Sequence, residues 1–142
     1  SRRFGAPAGG RARQADARRA FLADLTRIAE GNIFVALFTW LRSIAAAEAH
    51  TLVLRGPRAI ETSFLQDLPP EALHTAAAVI LHDGLGVEEH ADCLQLSPEQ
   101  SRLVLAGMAD ARLLFRADDG TYRINKVLYR PFVRLLRDRN LL

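Results

Sequence analysis

The stretch SPEQSRLVLAGMADARLLFRADDGTYRIN, Ser97 to Asn125, decides how this chain of 142 residues is read. Serine as a cap, Pro98 at the first helical position and Gln100 three residues after the cap form a capping box, three agreeing signals for a helix start. Val104, Leu105 and Met108 then recur at helical spacing to about Ala111. Two short apolar runs follow, LLFRA and TYRI, around Asp118-Asp119-Gly120, where glycine supplies the positive φ of a hairpin turn. A capped helix running into a hairpin is therefore expected here.

Upstream, Val87, Ala91, Leu94 and Leu96 mark a short helix with a small residue at its close-approach position. Before it, Leu73, Ala76, Ala77, Ile80 and Leu81 mark a longer one, opened by Pro69-Pro70 and ended by Gly84. Downstream, Asn125 is the expected cap of a last helix to Leu136, with Pro131 expected to kink it by removing one internal hydrogen bond. In the N-terminal half, Phe21, Leu22, Leu25, Ile28 and Ala29 predict a helix from an Asp16 cap to Glu30. Gly31 stops it, and Asn32 caps a second helix to about Ala49. That helix is apolar most of the way round and must be covered on several sides, with Trp40 expected in the core that joins the two halves. The segment His50–Gly56 reads as a short strand. Residues 1–15, with several glycines and arginines and few large apolar side chains, read as a flexible tail.

Helix, helix, helix, hairpin and closing helix over residues 71–138 resembles a winged helix-turn-helix domain. Glu88, Ala91, Leu94, Leu96, Ser97, Val104, Met108, Leu113, Leu114 and Gly120 carry that resemblance. LTRIAEGNIFVALFTWLRSI, Leu25 to Ile44, is similar to the lid helices of AAA+ and STAND-type ATPases through Gly31, Asn32, Ala36, Leu37, Trp40 and Leu41. The resemblance implies a C-terminal piece of a larger, bacterial ATPase, with Arg27 and Arg42 as candidates for a nucleotide-sensing arginine. It implies no hydrolysis by this chain, which carries no phosphate-loop motif. The expected fold class is mostly α, or α+β with a small hairpin wing. The expected organisation is a tail over 1–15, a lid-like segment over 16–68 and a winged-helix domain over 69–142, the lid packed on the domain.

Composition narrows the function. No catalytic nucleophile beside a base stands out, so the chain is read as a non-enzymatic module without cofactor. No metal site is expected, since His82, His90 and Cys93 fall short of the four ligands structural zinc wants, and Cys93 is expected as a small buried hydrophobe. The single cysteine and the absence of a long apolar span point to a cytoplasmic protein. Net charge is +3, distributed as +5 over residues 1–20, −7 over 21–111 and +5 over 112–142. The helix after Ser97 thus lies in the acidic part. Its outward arc offers Glu99, Leu103 and Ala106 as a protein-contact patch, with Asp110 beside them. Gln100, Arg102, Arg116, Arg123, Lys126, Arg130, Arg134 and Arg137 are the candidates for nucleic-acid contact. An acid and exposed apolar groups on the arc favour a protein partner or an ATPase core, with DNA as the alternative and an oligomer open.

Overall fold

The computed structural model describes residues 8–142, and the chain divides into two compact units, residues 1–60 and 61–142. The fold is mostly helical, with six α-helices and two small antiparallel hairpins among the described residues. None of these helices is long and apolar enough to cross a membrane.

The first unit opens with α1, Ala8–Ala29. Asp16 is therefore no cap. It lies within the helix and pairs with Arg19 at 2.8 Å, as Asp24 pairs with Arg27 at 3.1 Å. Alanine, arginine and glutamine are good helix formers, and they carry α1 through Gly9 and Gly10 into what reads as tail; the rest of that tail, residues 1–7, lies outside the described residues. Glu30 and Gly31, at φ 49° and 80°, turn the chain. Asn32 caps α2 (Ile33–Ser43) as expected, its Oδ1 accepting from the backbone N–H of Phe34 (3.0 Å) and Val35 (3.3 Å).

α2 ends six residues before the expected Ala49. Ile44–Glu48 is instead strand β1, paired with β2 (Thr51–Leu54) in the register Ala46 with Val53, Ala47 with Leu52 and Glu48 with Thr51. Alanine's helical preference is a fraction of a kcal/mol per residue, and the cross-strand ladder with the β-branched and leucine residues of β2 outweighs it. Trp40, expected in a core, is half-buried and lines a groove with Phe21, Leu52 and Leu54 of its own unit.

The second unit starts at Glu61, eight residues before the expected boundary. A 3-10 turn, Ser63–Asp67, buries Leu65, and Arg139 donates to the Gln66 carbonyl at 2.9 Å. Then come α3 (Pro70–Leu81), α4 (Val87–Leu94), α5 (Pro98–Asp110), β3 (Leu114–Arg116), β4 (Tyr122–Ile124) and α6 (Tyr129–Asp138). Leu85 and Tyr122 exchange both backbone hydrogen bonds, 3.1 and 2.8 Å, so one residue between α3 and α4 extends the edge of β4. The core comprises Leu73, Ala76 and Val79 of α3, Leu105 and Met108 of α5, Leu114 and Ile124 of the hairpin, and Phe132, Leu135 and Leu136 of α6. Full burial of each large side chain contributes about 1.5–3 kcal/mol.

Two expectations on helix phase change. Leu81, counted in the α3 stripe, is 69% exposed, because α3 turns Thr75 and Val79 inward instead. α6 starts at Tyr129, so Pro131 sits in its first turn, where no internal N–H bond is required, and it has no such bond to remove. Asn125 caps only the preceding turn, accepting from the Val127 N–H and donating to the Arg112 carbonyl.

Candidate functional site

The second unit presents α5 to solvent on a mount of caps and hairpin. Ser97 Oγ accepts from the Gln100 N–H at 3.1 Å, and Gln100 Oε1 accepts from the Ser97 N–H at 2.9 Å. That reciprocal box fixes the first turn. Ser101, Leu105 and Met108 face inward, which leaves Glu99, Gln100, Arg102, Leu103, Ala106 and Asp110 outward. Leu103 is 75% exposed.

Three polar residues of this arc, Glu99, Gln100 and Arg102, have partners within the chain. The Gln100 carbonyl serves the cap, and Arg102 lies 3.9 Å from Glu99. On the hairpin, Arg123 bridges Asp83 and Asp119, each at 3.7 Å. Asp119 Oδ1 accepts from the Thr121 hydroxyl (2.6 Å) and N–H (3.0 Å), which hold its carboxyl below the usual range, with Arg123 adding to the effect. Lys126 lies before α6 and not on it, with its Nζ 5.8 Å from the centre of the Phe115 ring. Arg116 is exposed beside the hairpin tip. Arg130, Arg134 and Arg137 are exposed on α6, opposite the buried Phe132, Leu135 and Leu136. The structure thus groups the protein-contact candidates on one helix face and disperses the basic ones over α5, the hairpin and α6.

The expectation that Cys93 is buried is corrected. His82 Nε2 and Cys93 Sγ are 3.7 Å apart in a groove of about 640 Å³ between α3 and α4, and Cys93 is exposed, because α4 packs through Ala91 and His90. His90 is fully buried away from solvent, its Nε2 2.9 Å from Thr75 Oγ1 and its Nδ1 2.6 Å from Ser101 Oγ. Among the described residues no three metal-binding side chains converge.

The protons around His90 can be counted. Ser101 donates its one hydroxyl hydrogen to the Val87 carbonyl at 2.8 Å. Nδ1–H must therefore donate to Ser101 Oγ, and Nε2 accepts from Thr75. The imidazole is neutral, and burial holds its pKa below the ordinary 6.5, opposed in part by Glu71. This network joins α3, α4 and α5, and the reading of the sequence missed it. Its signal was present: Ser101 stands four residues before Leu105 and seven before Met108, on the buried stripe.

Comparison with protein-family models, curated proteins and solved structures gives no match to this chain.

Proposed function

We propose that the second unit is a winged-helix docking module, non-enzymatic in itself, that contacts a protein through the outward face of α5. The carrying observation is that face: Leu103 stands 75% exposed at its centre, while Gln100 and Arg102 beside it are engaged within the chain. An exposed leucine flanked by a small residue suits the apolar centre of a protein contact, and nearby acids oppose a phosphate backbone. Three helices, a one-residue strand at Leu85 and a hairpin support the winged-helix reading. The resemblance of Leu25–Ile44 to an ATPase lid supports a regulatory role beside a nucleotide-binding core in the cytoplasm.

DNA contact is the second reading, favoured by the exposed Arg130, Arg134 and Arg137. Fluorescence anisotropy with duplex DNA at two salt concentrations, together with a photo-reactive residue at position 103, separates the readings. Docking expects protein adducts at position 103 and only weak, salt-erased DNA binding. Sequence-selective binding that persists at the higher salt and is lost in Gln100→Ala and Arg102→Ala would overturn it.

A further inference from the structure

α2 is turned with its polar side in. Its buried residues are Thr39 and Ser43, whereas Ile33, Phe34, Leu37, Phe38 and Leu41 are all exposed, Ile33 at 62% and Leu41 at 57%. At 100° per residue these five apolar side chains fill an arc of about 140°, roughly opposite Thr39 and Ser43. No charge lies within the arc; Arg42 stands at its edge, stacked 5.6 Å from the centre of the Phe38 ring. Both strands of the hairpin are also open, with Leu52, Val53 and Leu54 exposed.

The first unit consequently has almost no core of its own. Among its described residues Ala29 is the one buried apolar side chain, while every other buried apolar residue lies from Leu65 onward. Fixing each residue's backbone costs about 1–2 kcal/mol, and a two-stranded hairpin is marginal by itself. Apolar surface must be covered from outside the unit for it to hold.

We propose that the α2 face is a twofold interface between two copies of this chain. The row Ile33, Leu37, Leu41 reads nearly the same in both directions about Leu37, so antiparallel pairing sets Leu37 against Leu37 and Ile33 against Leu41. Such residues, four apart, form the ridges that mesh between packed helices, and a twofold axis requires this self-complementarity. Complete burial of the five side chains in both copies would reach on the order of 1,000 Å², the lower bound for a specific interface, and the exposed Leu52, Val53 and Leu54 of the hairpin are available to add to it. Its composition also matches, since homodimer interfaces are more apolar than those of transient partners, which keep charged groups. This face belongs to the first unit and the docking face of α5 to the second, and the two readings stand or fall independently.

Sedimentation equilibrium on the full chain tests the proposal. The expected result is a dimer at micromolar concentration that Leu37→Glu weakens by about thirtyfold or more while Leu103→Glu leaves it unchanged. Because Leu37→Glu can also unfold the unit, a second measurement uses Leu37→Cys with Cys93→Ser: oxidation should yield a disulfide-linked dimer, and Leu103→Cys in the same background should not. A chain monomeric from micromolar to millimolar concentration, a dimer indifferent to Leu37 or lost with Leu103→Glu, or a monomer that co-sediments with anionic lipid vesicles through α2 would each overturn it.

Discussion

His90 Nδ1 donates to Ser101 Oγ across 2.6 Å, tying α4 to α5 in an interior where neither residue meets solvent. With Thr75 donating to the other ring nitrogen, the neutral imidazole has both nitrogens satisfied, and burial disfavours its charged form. The unfolded chain takes up this proton near 6.5 and the folded chain resists it, so below that pH the unfolded state binds more protons. Stability contributed by His90 is therefore complete above pH 6.5 and is lost as pH falls below it. Urea unfolding between pH 7.5 and pH 5 should show this slope, and His90→Leu should remove it. The substitution should cost about 1–3 kcal/mol at neutral pH by leaving Thr75 unpaired. The carboxyls of Glu61 and Asp119, lowered mainly by hydrogen bonds from Ser63 and Thr121, lose their contributions in a separate window below their ordinary values of 4.5 and 3.8.

Leu103→Glu should change the unfolding free energy by less than about 0.5 kcal/mol, as expected for an exposed surface site. Partner binding should fall sharply with the same substitution. A large loss of stability in calorimetry would contradict the exposure of Leu103.

Gly84 and Gly120 offer a matched pair. Both have positive φ, 111° and 84°, but a methyl at Gly84 would lie 3.2 Å from Arg123 Cγ and 3.3 Å from Thr121 Oγ1, whereas at Gly120 the nearest atom is 3.9 Å away. Gly120→Ala should cost about 1–2 kcal/mol from conformation alone. Gly84→Ala should cost more, since Arg123 must also shift from Asp83. Thermal unfolding of the two variants gives the order directly.

Trp40, the chain's one tryptophan, makes emission a reporter of the first unit alone. Trp40→Ala should cost about 1–2 kcal/mol, below the 3–5 of a fully buried aromatic, because the ring is only half-buried. The tryptophan transition in urea should precede that seen by circular dichroism. Coincident transitions would show that the first unit is as stable as the second.

Reversing Arg130 and Arg134 to glutamate should leave the melting temperature within a few degrees, since both point away from Phe132 and Leu136. If α6 meets DNA, affinity should fall alike for all sequences, and the salt slope should drop by about one for each phosphate that is no longer neutralised. No change in DNA or protein binding would mark the stripe as a solvated face.

Local chemistry was enough to read the order of elements in the second unit. The Ser97 box and the Asp119-Gly120 turn are decided within a few residues, so the capped helix, the hairpin and the mostly helical class were legible, as was the outward position of Leu103. Position beyond one turn of chain was not. The helix end at Ser43 depends on β2 arriving to pair with an alanine run that would otherwise stay helical. Hydrogen bonds spanning 15 and 11 residues made His90 a buried key between α3, α4 and α5. The apolar pattern of α2 announced that the helix must be covered, yet only tertiary packing decided that Thr39 and Ser43 face inward and Leu37 outward. Periodicity fixes which residues share a face; which face is buried depends on the surfaces that other parts of the fold bring to it.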